Sequence, residues 1–219
     1  RVTVDGFYDR VRPLSEEERA ATARIAFDEA EYLQETGATG LFGEAGYTSW
    51  ERVWARPTLE VNGIYGGFQG AGVKTVLPST AHAKVSCRLV PDQDPEQIVE
   101  RGIAHVEAVA PPGVRVTAAR AESSAVPYRV PTDHPGLEPA AAVLRELYGK
   151  EPFRVCMGGT IPANGIFLRH LDVYTLVFAF GLPDERAHSP NEFFRLSSYE
   201  RGLNAYAGIL ERLRNESRG

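Results

Sequence analysis

Cysteine is scarce: Cys87 and Cys156 are the only two in 219 residues, which excludes a disulfide framework as the source of stability. Both lie in strand-like runs and are expected to be reduced, buried thiols, as in a cytoplasmic protein. No apolar run reaches the roughly 20 residues of a membrane-spanning helix. The opening Arg1-Val2-Thr3-Val4-Asp5-Gly6 lacks the layout of a signal peptide and also lacks an initiator Met, as a fragment would. A basic stripe is missing too. Against 29 Asp and Glu stand 24 Lys and Arg, scattered, for a formal charge of -5. Neither nucleic acid nor a membrane surface is therefore an expected partner. With 43% hydrophobic and 24% charged residues, the chain can build the core of one large domain or two small ones.

The first half reads as α+β. Ser15-Glu16-Glu17-Glu18 is a capping box, with a serine hydroxyl for the N3 amide and a glutamate reaching back, and it predicts a helix to about Glu35 that stops at Gly37. The acidic triplet meets the positive end of the helix dipole, which accounts for it without acid–base catalysis. Residues 37–56 hold four glycines and both tryptophans, Trp50 and Trp54, and are expected to be irregular or helical, packed through the aromatics. Strands are predicted at Thr58–Val61 and Thr75–Leu77, on either side of a glycine-rich loop that lacks the spacing and following helix of a phosphate loop.

Strict alternation from His82 to Leu89 predicts a further strand. His82, Lys84, Ser86 and Arg88 share a wet or ligand-facing side, and Ala83, Val85, Cys87 and Leu89 share a core side. Asp94 caps a helix with Pro95 at its first position; its apolar stripe is Val99, Ile103, Val106 and Ala110, and Pro111-Pro112-Gly113 stops it. A strand at Val114–Ala118 completes the expected two-layer sandwich with one antiparallel sheet, ferredoxin-like in outline, over residues 1–127.

The Pro-bearing segment near residues 123–133 marks the crossing into residues 128–219, which alternate helix and strand. Helices are predicted at Gly136–Tyr148 and Pro162–Arg169, and strands at Phe153–Cys156 and Val173–Phe180. In the last helix, Tyr199, Leu203, Tyr206, Leu210 and Leu213 form an expected core-facing stripe. Two strands are too few for an independent sheet, so this part reads as an incomplete α/β portion of a larger domain.

Four places could carry chemistry. His188, within Arg186-Ala187-His188-Ser189-Pro190-Asn191-Glu192, rides a loop past the carboxyl end of an apolar strand, the edge where α/β sheets hold ligands. Arg88 could clamp a carboxylate through two hydrogen bonds, or simply be solvated. Met157-Gly158-Gly159-Thr160-Ile161-Pro162 either makes a plain turn or offers amides and a hydroxyl to an anion. His170-Leu171-Asp172 imitates a metal pair, but on the entry side of the sheet, so it is set aside. His82 shares the Arg88 face, while His105 and His134 have no partners at ligand spacing.

Thr75-Val76-Leu77-Pro78, Ser86-Cys87-Arg88-Leu89-Val90-Pro91, Gly158-Gly159-Thr160-Ile161-Pro162 and Ala187-His188-Ser189-Pro190-Asn191-Glu192, in this order, resemble the M20 family of zinc metallopeptidases, in its carnosinase-like dipeptidase branch. The resemblance implies a lid or dimerisation domain at residues 1–127 and the C-terminal part of the catalytic domain at 128–219. It implies that His188 is a zinc ligand, that Arg88, Thr75 and Thr160 hold the C-terminal carboxylate of a dipeptide or short-peptide substrate, and that Gly158 and Gly159 belong to the same substrate-binding set. The lid would form a homodimer. The full-length enzyme would hold two zinc ions; the remaining ligands and the general base would precede residue 1, so this chain is expected to be inactive and to retain no metal. A deacylase or carboxypeptidase of the same family, or a stand-alone α+β dimerisation module, are the alternatives.

Overall fold

The structure, a computed structural model, describes residues 1–121, 124–159 and 161–216. The chain divides into two compact units, residues 1–128 with 155–165, and residues 129–154 with 166–219.

In the first unit, α1 (Glu16–Ala23) opens on the predicted capping box, with both reciprocal bonds made by Ser15 and Glu18. The predicted single helix is in fact two. It breaks after Arg24, and Asp28 caps a new helix, α2 (Glu29–Thr36), closed by Gly37 at φ +68°. The break is held by aromatics: the Phe27 and Trp50 rings meet edge to face at 5.5 Å, and Trp50 Nε1 donates to the Ala26 carbonyl at 3.2 Å. Trp50 belongs to α3 (Ser49–Ala55) and stacks on Trp54 at 4.7 Å. Tertiary packing here overrides the local preference for one continuous helix.

β1 (Thr58–Gly66) and β2 (Ala81–Arg88) pair antiparallel. An irregularity between Val61 and Gly63 leaves Asn62 as the extra residue. Thr58, Glu60, Gly63 and Tyr65 share one face with Arg88, Ser86, Lys84 and His82, while Leu59, Val61 and Ile64 share the other with Cys87, Val85 and Ala83. The second set, expected to be core, is largely open: Val61, Ile64 and Val85 are exposed, and Cys87 is half-buried. Cys156, also expected to be buried, is exposed.

The expected sheet is larger than the observed one, which is two-stranded among the described residues. Residues 75–77 and 114–118 run without a ladder. Thr75-Val76-Leu77 lies in the β1–β2 connection and ends at Pro78, which has no amide to donate. Downstream, α4 (Pro95–Ala108) has its predicted Asp94 cap and buries Ile98, which the predicted stripe did not include. Gln93 ties this region to the start of the chain, its Nε2 donating to the Phe7 carbonyl at 2.8 Å.

The second unit is built on α5 (Leu137–Tyr148) and α7 (Leu196–Glu216); between them in sequence comes α6 (Pro162–Leu171). Its core joins Ala140 and Val143 of α5 to Ala205 and Ile209 of α7, with Phe178 and Phe180 packed against them. Tyr206 Oη donates to the Phe178 carbonyl at 2.7 Å. The buried face of α7 is therefore Ser198, Gly202, Ala205 and Ile209. The predicted stripe is displaced from it by one residue, about 100° around the helix, and points outward, with Leu203 55% and Leu210 65% exposed. Small residues win because they let neighbours approach: a Cβ at Gly208 would already touch Val143 at 3.4 Å. Residues 153–156 and 173–180, predicted as strands, form no ladder among the described residues. In 173–180, Tyr174, Thr175, Leu176, Phe178 and Phe180 are half-buried while Val173, Val177 and Ala179 are exposed, so burial alternates only from Leu176 onward and without a ladder.

Candidate functional site

Residues 181–195 carry His188. Pro183–Glu185 form one 3-10 turn, and its glutamate is the anchor of the loop. Glu185 is buried; its Oε2 accepts from the Leu182 amide at 2.8 Å and its Oε1 from the Arg195 amide at 3.0 Å. The Arg195 guanidinium adds a contact at 3.3 Å to Glu185 and one at 2.9 Å to Asp184. The Leu182 amide first, then the Arg195 amide and guanidinium, hold the Glu185 carboxyl below its ordinary range, and Arg195 does the same for Asp184. The His188 amide donates to Glu192 Oε2 at 3.3 Å. His188 is exposed, so its ring is accessible for ligation. Sequence reasoning missed Glu185. The available signal was a glutamate at the third position of a turn opened by Pro183, which is capping-box spacing.

Arg88 ends β2, opposite Thr58 and on the same face as Lys84 and His82, and the His82 ring stacks on Tyr65 at 4.5 Å. On this face Thr58 Oγ1 and Glu60 Oε2 are shut off from solvent with no hydrogen-bond partner among the described residues. Such oxygens are costly to leave unpaired. Thr75 is exposed in the β1–β2 connection. Gly158 lies against α3, where an added Cβ would stand 2.8 Å from the Val53 carbonyl oxygen; close packing thus requires glycine there whatever else the turn does. Thr160 lies outside the described residues. Arg88, Thr75, Gly158 and Gly159 belong to the first unit and His188 to the second.

As for a metal, no three His, Cys, Asp or Glu side chains come together among the described residues. A single exposed histidine such as His188 cannot hold zinc by itself, and the described residues do not make a complete zinc site.

Residues 15–114 match the sequence model of the M20 peptidase dimerisation domain. Along almost its whole length the chain aligns with the Cys-Gly metallodipeptidase DUG1 of Saccharomyces cerevisiae, at 29% identity over 96% of this chain and 44% of that protein. The chain is a relative of the M20 peptidases. The Beta-Ala-His dipeptidase of Rattus norvegicus is 27% identical over 95% of the chain and 43% of its own length. Among solved structures, an M20 family metallo-carboxypeptidase, Sso-CP2 from Sulfolobus solfataricus, superposes with a TM-score of 0.78 at 29% identity, covering 96% of this chain and 48% of its own. Human carnosine dipeptidase 1 does so with a TM-score of 0.78 at 26% identity, covering 95% of this chain and 45% of its own. The chain thus spans somewhat under half the length of the M20 relatives it matches. No helix among the described residues is long and apolar enough to cross a membrane.

Proposed function

We propose that this chain is the dimerisation-lid and C-terminal catalytic portion of a zinc-dependent, cytoplasmic dipeptidase of the M20 family, divided near residue 127 and inactive by itself. The observation that carries this reading is end-to-end similarity to dipeptidases, running through both the Arg88 strand and the His188 loop. In the assembled enzyme the lid completes a ferredoxin-like, two-layer sandwich and pairs with a second copy, and the α/β portion joins the rest of its sheet. His188 contributes one ligand to a site for two zinc ions, and bound zinc supplies Lewis acidity and an activated water. Arg88, Thr75, Thr160 and the amides of Gly158 and Gly159 orient the carboxylate of a dipeptide or short peptide. A planar guanidinium suits that task because it offers two parallel donors to two oxygens.

The test is hydrolysis of Cys-Gly and β-Ala-His, with and without zinc, by the longer polypeptide that includes the missing ligands, beside this chain alone. The longer polypeptide is expected to cleave at least one dipeptide in a zinc-dependent manner, and this chain neither. Cleavage by this chain alone would overturn the assignment. A second reading, an M20 carboxypeptidase or deacylase, is favoured by the likeness to the metallo-carboxypeptidase; preference for longer peptides or N-acyl amino acids in the same assay would select it. A stand-alone dimerisation module would instead dimerise in sedimentation while adding nothing to hydrolysis.

A further inference from the structure

Glu185 is 4% exposed, and the proposed chemistry makes no use of its carboxylate. Its oxygens bind both stems of one loop: the Leu182 amide at 2.8 Å on the entering side, and the Arg195 amide at 3.0 Å with its guanidinium at 3.3 Å on the leaving side. The Glu185 carbonyl also accepts from the Phe193 amide at 3.1 Å. Within that closure three residues other than glycine take positive φ, Arg186 at 54°, His188 at 63° and Asn191 at 62°. Each such conformation costs on the order of 1 kcal/mol and persists only where the surroundings impose it. The bonds inside the loop are local, Ser189 amide to Arg186 carbonyl at 2.9 Å and Glu192 amide to Ser189 carbonyl at 3.2 Å. The buried anchor is Glu185.

We infer that Glu185 is a positioning residue: its carboxylate closes the 182–195 loop and so fixes the backbone that presents His188. The inference rests on the proposed role of His188 as a metal ligand. A ligand already held in its bound conformation loses less freedom on coordination, so loosening the loop weakens the metal without removing a ligand.

The experiment compares wild type, Glu185→Gln and Glu185→Asp by amide hydrogen exchange in this chain. Zinc affinity by chelator competition is measured for the same variants, and for His188→Ala, in the longer polypeptide described above. Glu185→Gln keeps the shape but loses the charge and one acceptor; it is expected to speed exchange at Leu182, Phe193 and Arg195 about tenfold while α5 and α7 amides stay at wild-type rates, and to weaken zinc about tenfold. Glu185→Asp, charged but one methylene short, should fall between. Unchanged loop exchange overturns the inference. So does equal acceleration in α7, which marks a general packing role, and so does a loosened loop with wild-type zinc affinity. If His188→Ala leaves zinc affinity intact, the metal assignment itself fails, and loop exchange in Glu185→Gln still decides whether the clamp exists.

Discussion

Glu185 and Arg195 are joined twice, once through the Arg195 backbone amide and once through its guanidinium, which also reaches Asp184. One arginine thus neutralises both carboxylates of the turn that leads into His188.

The pairing sets a pH dependence. Asp184 and Glu185 are both lowered from ordinary values of 3.8 and 4.5. A lowered carboxylate contributes stability that is fully present above its unfolded value and is lost as pH falls through the folded one. The second unit is therefore expected to keep its melting temperature from pH 7 to about 4.5 and to lose it progressively below, within the range of those two ordinary values and under them. Arg195→Gln should flatten that slope without abolishing it, because the Leu182 amide still binds Glu185. Thermal unfolding monitored by circular dichroism from pH 7 to 3 measures both slopes; identical slopes would refute the pairing.

Adjacent residues of α7 should behave in opposite ways. Ile209 is buried against α5 and Leu210 is exposed. Ile209→Ala is expected to cost about 2–5 kcal/mol, and Leu210→Gln to stay within about 0.5 kcal/mol, as read by urea denaturation. Equal effects would mean that the helix sits in another rotation.

At the start of the chain Gly6 has φ +73°, and a Cβ there would overlap the Arg101 guanidinium. Arg101 Nη1 donates to the Asp5 carbonyl at 3.3 Å and its Nη2 meets Asp9 at 3.2 Å. Gly6→Ala should destabilise the first unit by more than the ~1 kcal/mol of the backbone conformation alone. Gly6→Ala with Arg101→Ala should recover the steric part. A double variant no better than the sum of its singles would show that no collision occurs.

In the longer polypeptide, Arg88→Lys keeps the charge but not the paired donors. It is expected to raise KM for dipeptides more than it lowers kcat. An unchanged KM removes Arg88 from substrate binding.

Much of the local structure was legible because it depends on neighbours in sequence. Ser15 with Glu18, Asp94 with Pro95, and Gly37 at a helix end all act within one turn, and all are present as predicted. The break at residues 24–28 was not legible, since its cause, Trp50, comes a full element later. The α7 face was misread for a related reason. Periodicity registers large apolar side chains, whereas the buried face here is chosen by Gly202 and Ala205, which carry almost no hydrophobic signal but allow close approach. Residues 173–180 have the apolar, β-branched composition of a core strand, but a ladder also needs a partner, which no single segment's pattern contains. Of the candidate site, the His188 loop was singled out from its place after an apolar run. The carboxylate holding it was overlooked because a glutamate's burial cannot be seen in its own sequence.

The one-residue offset between the buried and open sides of α7 has a practical outcome for anyone purifying or evolving this chain. Screens for soluble expression reward whatever wets the outward leucines and tyrosines, so glutamine, glutamate and lysine should accumulate at positions 203 and 210. Those gains are made in isolation, and a partner surface that later met the same side of the helix would find its greasy counterpart already rewritten.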